Sequence, residues 1–239
     1  MRDVWLRPQA MEKFQKMEGK ENFHFGCPNF YSHYGDDHKV FNNFLWNTPL
    51  DDLTFSSTFF VQLLRNRIEG QTAFYEIFPF HSSHAVSYRV VNTRNCDVWI
   101  DWHQDWYDKT NLTDKRKYLL SRVQATLFLA KHGVDYDGDG LLFENNQGEM
   151  LVIGKDVEIE PGDLMIWRYN NLHSVRNIIV GEEQLGFLRI LYPPELHHYV
   201  PLGPIPVESK VPQMEPAETI RNSGMRALAS RMKNFIIGA

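Results

Sequence analysis

Cysteine is scarce: Cys27 and Cys96 are the only two in 239 residues. Two thiols cannot make a disulfide framework, so a reducing compartment, the cytoplasm, is the expected location. The first residues carry no apolar run, because Arg2, Asp3 and Arg7 interrupt them, and no secretory leader is expected. No stretch approaches the roughly 18 apolar residues of a membrane span, so no membrane partner is expected. Basic excess is also lacking: 25 Lys and Arg face 30 Asp and Glu, for a formal charge of −5. With a pI near 6.1, that balance argues against a nucleic-acid surface. Neither an internal repeat nor a low-complexity tract is evident. What remains is ordinary for a globular chain, 43% hydrophobic and 23% charged, and the length fits one domain. The expected division is a helical and loop part over 1–84, a β core over 85–194, and a loop and helix over 195–239.

Periodicity divides the chain in the same way. Ala10, Phe14 and Met17 predict a short helix over 9–18. Leu53, Phe60, Leu63, Leu64 and Ile68 predict the apolar side of a helix from Leu50 to Ile68, closed by Gly70. From Ala85 the apolar period falls from 3.6 to 2. Strands are predicted at 85–93, 98–105, 121–131, 140–143, 150–153, 163–168, 174–180 and 184–192. Turn-forming runs such as Asp137-Gly138-Asp139-Gly140 and Glu160-Pro161-Gly162-Asp163 separate them. Many short strands preceded by helices indicate an antiparallel sandwich or small barrel. A last helix is predicted over 216–237, with Ile220, Met225, Leu228, Met232 and Phe235 as its apolar positions.

The chemistry concentrates at Trp102-His103-Gln104-Asp105-Trp106. On an extended strand, side chains at i and i+2 share a face, so His103 and Asp105 can hold one metal ion together. A third ligand is needed, and His173 is available in Asn171-Leu172-His173-Ser174. Two histidines and one carboxylate form the facial triad of non-haem Fe(II) sites, which leaves open coordination positions. His24, His33 and His38 lack comparable partners on a regular element and read as surface or packing residues. On the predicted strand 121–131, Arg122, Gln124 and Thr126 alternate with Val123, Ala125, Leu127 and Leu129, which suits a cavity on one face and packing on the other. An exposed edge strand would show the same alternation. In Phe187-Leu188-Arg189-Ile190-Leu191 a guanidinium lies inside an apolar run and needs an anion. Either a carboxylate ligand or an internal acidic residue would serve.

His103, Asp105, His173 and Arg189, in that order on a β-rich chain, resemble the Fe(II)- and 2-oxoglutarate-dependent dioxygenases. Trp102-His103-Gln104-Asp105 looks like the phytanoyl-CoA-dioxygenase-type branch, and Pro161-Gly162-Asp163-Leu164 resembles the turn and strand that present the distal histidine. The resemblance covers roughly residues 85–193. It implies a double-stranded β-helix (jelly-roll, cupin-like) core with flanking helices. It implies His103, Asp105 and His173 as iron ligands, and Arg189, sixteen residues after His173, as the partner of the far carboxylate of 2-oxoglutarate. Gln124 and Thr126, whose strand would cross the cosubstrate cavity, are helpers on this reading. Trp102, Trp106, Tyr107 and Trp167 are candidates for the substrate pocket or for packing; Arg176 is a candidate for the surface or a substrate carboxylate. The implied reaction uses O2, hydroxylates an unactivated C–H bond of a small metabolite, and releases succinate and CO2. A carboxylate at Asp105 disfavours halogenation, since related halogenases have a small residue there. Desaturation and ring formation stay open.

Two other readings compete. A cupin-type metalloenzyme that does not use 2-oxoglutarate would fit the barrel, but would leave Arg189 without a task. A non-catalytic ligand-binding β-barrel would make the triad a coincidence. The expected partner is a small molecule, with the chain a monomer or homodimer.

Overall fold

Two facing sheets frame the molecule, seen in a computed structural model that describes residues 1–6, 15–16, 30–33, 38–45, 51–75, 77, 84–105, 122–168, 170–193 and 197–198. The first part holds α1 (Arg2–Leu6), β1 (Gln15–Lys16), β2 (Phe30–His33), β3 (His38–Phe44) and α2 (Asp52–Ile68). Next come β4 (His84–Ala85), β5 (Ser87–Thr93), β6 (Cys96–His103), β7 (Val123–Phe128) and β8 (Asp137–Glu144). The chain continues through β9 (Met150–Ile153), β10 (Leu164–Arg168), β11 (His173–Ile179), β12 (Phe187–Tyr192) and β13 (His197–His198).

The large sheet has the order β1-β2-β3-β5-β12-β7-β10, the small one β6-β11-β8-β9, and β13 pairs separately with β4. All pairs are antiparallel except β1 with β2. Between β5 and β12 the chain crosses repeatedly from one sheet to the other, so that first and last strands are neighbours. This is the double-stranded β-helix, or jelly roll.

Strand alternation decides what faces the space between the sheets. In the β7–β10 ladder Gln124 lies opposite Trp167 and Thr126 opposite Met165. In the β12–β7 ladder Leu191 lies opposite Thr126, and Arg189 opposite Phe128. The other face of the large sheet carries Val90 of β5 with Ala125, Leu127 and Ile190, which join Trp5 and Val61 in the buried core. The large sheet is thus apolar on its outer side and mixed on its inner side.

Several expectations change on contact with the structure. All eight predicted core strands are present, the one over 150–153 with the expected ends and the others with at least one end shifted. The strand expected to reach Asp105 stops at His103, and the last one begins at Phe187, after Gly186 with φ +98°. Of the helix expected over 9–18, only Gln15 and Lys16 are described, and they pair with Phe30 and Tyr31 as a strand. A helix that short holds only where packing supports it. The helix expected over 216–237 lies outside the described residues.

The largest change concerns α2, which starts as expected, with Asp51 as N-cap accepting the Thr54 N–H at 2.9 Å. Its expected apolar side faces outward, with Leu53, Phe60 and Ile68 exposed. The buried side instead carries Thr54, Ser57, Thr58, Val61, Gln62, Arg65 and Asn66. Hydrogen bonds explain the inversion. Trp5 Nε1 donates to Thr54 Oγ1 at 2.9 Å, and Asn66 Nδ2 donates to the carbonyls of Ala73 and Tyr75 at 2.9 and 2.8 Å. Arg65 Nη1 reaches the Tyr192 carbonyl at 3.4 Å. These side chains satisfy carbonyls that the interior would otherwise leave unpaired. Among the described residues no helix is long and apolar enough to cross a membrane.

Candidate metal centre

β6 and β11 are neighbours in the small sheet, and His103 and His173 are register partners across that ladder. The pairing sets the two imidazoles side by side, with ring centroids 4.3 Å apart and planes tilted by 50°. Just past the end of β6 the backbone bends at Asp105, which carries the carboxylate back toward both rings. His103 Nε2 lies 3.4 Å from Asp105 Oδ1, and His173 Nε2 lies 3.6 Å from Asp105 Oδ2. One ligand atom from each of the three residues falls within 4.8 Å of the others. Among the described residues this is the one such group of three or more.

Both rings are held from behind in the same way. His103 Nδ1 lies 2.8 Å from the Asp101 carbonyl, and His173 Nδ1 lies 3.1 Å from the Asn171 carbonyl. A carbonyl only accepts, so each Nδ1 carries the proton and each Nε2 keeps a lone pair facing Asp105. The environments differ otherwise. The adjacent Asp105 carboxylate raises the His103 pKa above its ordinary value, whereas burial lowers that of His173. Asp105 Oδ2 is buried without a hydrogen-bond donor. An acceptor in that state, beside two lone pairs, fits a cation.

The triad opens on a cavity whose other polar lining residues are Arg89, Gln124, Thr126, Trp167 and Arg189. Ile100, Leu141, Val175, Leu191 and Pro193 supply its apolar walls. Arg189 is 2% exposed. Its Nη1 donates to the Phe187 carbonyl at 3.1 Å and to Thr93 Oγ1 at 3.3 Å, and its guanidinium carbon stacks 4.4 Å from the Phe187 ring centre. Among the described residues no carboxylate pairs with it, and burial pushes its pKa down to about 10. Thr126 Oγ1 and Trp167 Nε1 are likewise buried without a hydrogen-bond partner. A buried cation and unsatisfied polar atoms around one cavity fit an anionic ligand.

Of the residues singled out from the sequence, His103, Asp105, His173, Gln124, Thr126 and Arg189 all line this cavity. Arg176 and Trp102 do not. Arg176 Nη2 pairs with Asp101 Oδ1 at 2.8 Å, and its guanidinium lies 5.6 Å from the Trp102 ring centre. Strand alternation puts Arg176 on the face of β11 opposite His173 and Val175, which line the cavity. Trp106 and Tyr107 lie outside the described residues. Arg122, on the cavity-facing phase of β7, pairs instead with Glu69 at 2.6 Å, both fully buried. Arg89 also lines the cavity, and its setting in an apolar run, Tyr88-Arg89-Val90-Val91, is the same signal that singles out Arg189.

No known protein family and no curated protein matches this chain. Among solved structures, a Shewanella oneidensis protein proposed to be an oxygenase is similar at 13% identity and a TM-score of 0.43, covering 82% of this chain and 74% of its own. A C-terminally truncated Neurospora crassa protein, NcT7HdeltaC, in apo form, is similar at 14% identity and a TM-score of 0.40, covering 78% and 71%.

Proposed function

We propose that this protein is a non-haem Fe(II)- and 2-oxoglutarate-dependent oxygenase, of the phytanoyl-CoA-dioxygenase-like kind, that hydroxylates a C–H bond of a small metabolite. One observation carries the reading. A His/Asp/His cluster with an unsatisfied carboxylate oxygen shares a cavity with a buried guanidinium that has no carboxylate partner among the described residues. Cation-seeking and anion-seeking groups in one space suit a metal with a dicarboxylate beside it.

His103, Asp105 and His173 would hold the iron, leaving one face of it toward the cavity. Bound iron with 2-oxoglutarate and O2 would supply the oxidising chemistry, with succinate, CO2 and an alcohol as products. The chain's own residues do the rest. The Asp101 and Asn171 carbonyls hold both imidazoles in the Nε2-ligating tautomer. Arg189 would take the far carboxylate of 2-oxoglutarate bidentately, with the Phe187 ring and the Thr93 hydroxyl steadying the guanidinium. Gln124 and Thr126 lie on the wall between the two ends and would position the cosubstrate chain. Ile100, Leu141, Val175 and Leu191 keep water out of the space where the C–H bond is attacked.

The test is anaerobic absorption spectroscopy with Fe(II), before and after adding 2-oxoglutarate. A weak visible charge-transfer band is expected, absent in His103→Ala and requiring more cosubstrate in Arg189→Ala. Iron binding without such a band would replace this reading with a metalloenzyme that does not use the keto acid. No iron binding at all would remove the metal reading.

A further inference from the structure

The unsatisfied polar atoms of the cavity differ in sign. Asp105 Oδ2 is an acceptor beside two imidazole lone pairs. The Trp167 indole Nε1–H is a donor and can be nothing else. Trp167 is 4% exposed, and its ring is clamped edge-on between Phe143, 5.8 Å away at 73°, and His173, 6.1 Å away at 64°. A ring wedged in this way keeps its N–H in a fixed direction. A buried indole N–H usually finds an acceptor. Here none is present among the described residues, and the ring lines the cavity.

β7 serves as a ruler for where this donor lies. Arg189 stands opposite Phe128 on one side of the strand, and Trp167 stands opposite Gln124 on the other. Four residues separate the two levels, about 13 Å along the strand. Long side chains reaching inward from both levels leave room for a five-carbon dicarboxylate between their tips. Arg189 marks one end of that space, and Trp167, packed on the ligand His173, marks the end at the triad.

We propose that the Trp167 N–H is a positioning donor for the 2-oxoglutarate carboxylate nearest the triad, orienting that end while Arg189 holds the other. The inference rests on the function proposed above. It adds a residue to which the sequence assigned only a pocket-lining or packing role. The hydrogen bond would be charge-assisted and made in a dry site, so its loss is expected to weaken 2-oxoglutarate binding about tenfold.

The experiment compares wild type with Trp167→Phe, which keeps a ring and removes the donor. Mn(II) affinity, 2-oxoglutarate affinity in the presence of Mn(II), the Fe(II) charge-transfer band and the ligand-free melting temperature are measured for each. Trp167→Phe is expected to bind Mn(II) as wild type does, to bind 2-oxoglutarate about tenfold more weakly, and to move the band to higher energy. Its ligand-free melting temperature is expected to be equal or higher, since an unsatisfied donor has gone. Unchanged 2-oxoglutarate affinity with an unmoved band overturns the proposal. So does a parallel fall in Mn(II) affinity and melting temperature, which marks a packing role. Should the variant not fold, 3-benzothienylalanine at position 167 keeps the ring shape without the N–H and gives the same comparison. Failure of wild type to bind 2-oxoglutarate overturns the parent reading instead, so the two failures are told apart.

Discussion

Replacing Arg189 by Met is expected to make the ligand-free protein more stable and its complex less so. The guanidinium is fully buried, and its pKa falls well below the ordinary arginine value, to about 10, because burial disfavours the charge. At about 1.4 kcal/mol per unit, keeping it charged costs the folded state about 3 kcal/mol. The sign follows from linkage. A basic group whose folded pKa is depressed destabilises the fold at every pH below that value, and the cost fades only as pH rises from about 10 toward the ordinary arginine value. Offsetting it are the hydrogen bonds to the Phe187 carbonyl and Thr93, roughly 1 kcal/mol each at most, and the stacking on Phe187. Methionine fills a similar volume without the charge. A net gain of about 1 kcal/mol would raise the melting temperature by about 2–4 °C for a chain of this size. With Mn(II) bound to both proteins and 2-oxoglutarate at about a hundred times its wild-type dissociation constant, the cosubstrate should add about 2.7 kcal/mol to wild type and little to the variant. The order of the two melting temperatures should therefore reverse when the ligands are added, which differential scanning fluorimetry reads directly. A ligand-free variant that melts several degrees lower would refute the uncompensated charge. An identical ligand-induced rise in both proteins would refute Arg189 as the dicarboxylate's partner.

Other expectations follow from single contacts. Asp105→Ala should abolish tight Mn(II) binding while leaving the far-ultraviolet circular dichroism unchanged; retention of the ion within about threefold would remove the triad as its site. Metal affinity should climb with pH, by about tenfold per unit at most, because the proton that Asp105 holds on His103 must leave first. Isothermal titrations from about pH 5.5 to about 7.5 should show the rise levelling off, and a flat profile would contradict it. Gly138 has φ +87°, and a Cβ there would sit 1.7 Å from the Asn177 carbonyl oxygen. Gly138→Ala should thus cost about 3 kcal/mol or more in urea unfolding, with a loss under about 1 kcal/mol showing that β8 and β11 can separate freely. Arg122→Met leaves Glu69 buried and unpaired, which should cost about 3–5 kcal/mol. Adding Glu69→Gln should recover part of it, and full additivity of the two changes would argue against a coupled pair.

Much of this architecture could be read from residue order. The period-2 runs located all eight core strands because each strand turns its two faces to different surroundings, cavity and core in the large sheet and interior and surface in the small one, and that alternation survives in the sequence. The alternation of Gln124 and Thr126 with Ala125 and Leu127 also marked the cavity face of β7. Reading failed where a contact partner decides orientation. Leu53, Phe60 and Ile68 have the spacing of a buried stripe, yet α2 turns them outward, because Thr54, Asn66 and Arg65 meet Trp5 and unpaired carbonyls on the other side. Arg122 shares the phase of Gln124, and only the fold reveals that Glu69 waits beside it. Periodicity likewise says nothing about which nitrogen of a histidine faces a carbonyl, although that choice is what points His103 and His173 at Asp105.

The inverted seating of α2 has a consequence for how the molecule tolerates change. Greasy contacts slide: a leucine shifted by an ångström finds other carbons. A helix fastened through Thr54, Gln62, Arg65 and Asn66 behaves as a keyed joint, engaging at one rotation and one height. Inserting a single residue before Gln62 would turn the remainder of the helix by about 100°, bringing more carbon inward by any hydropathy count while tearing Arg65 from the Tyr192 and Pro193 carbonyls. Tyr192 ends the strand that bears Arg189, and Pro193 is part of the cavity wall. The key therefore also holds the lock's edge: a length change in α2, far along the chain from every metal-seeking residue, would be transmitted to the cavity.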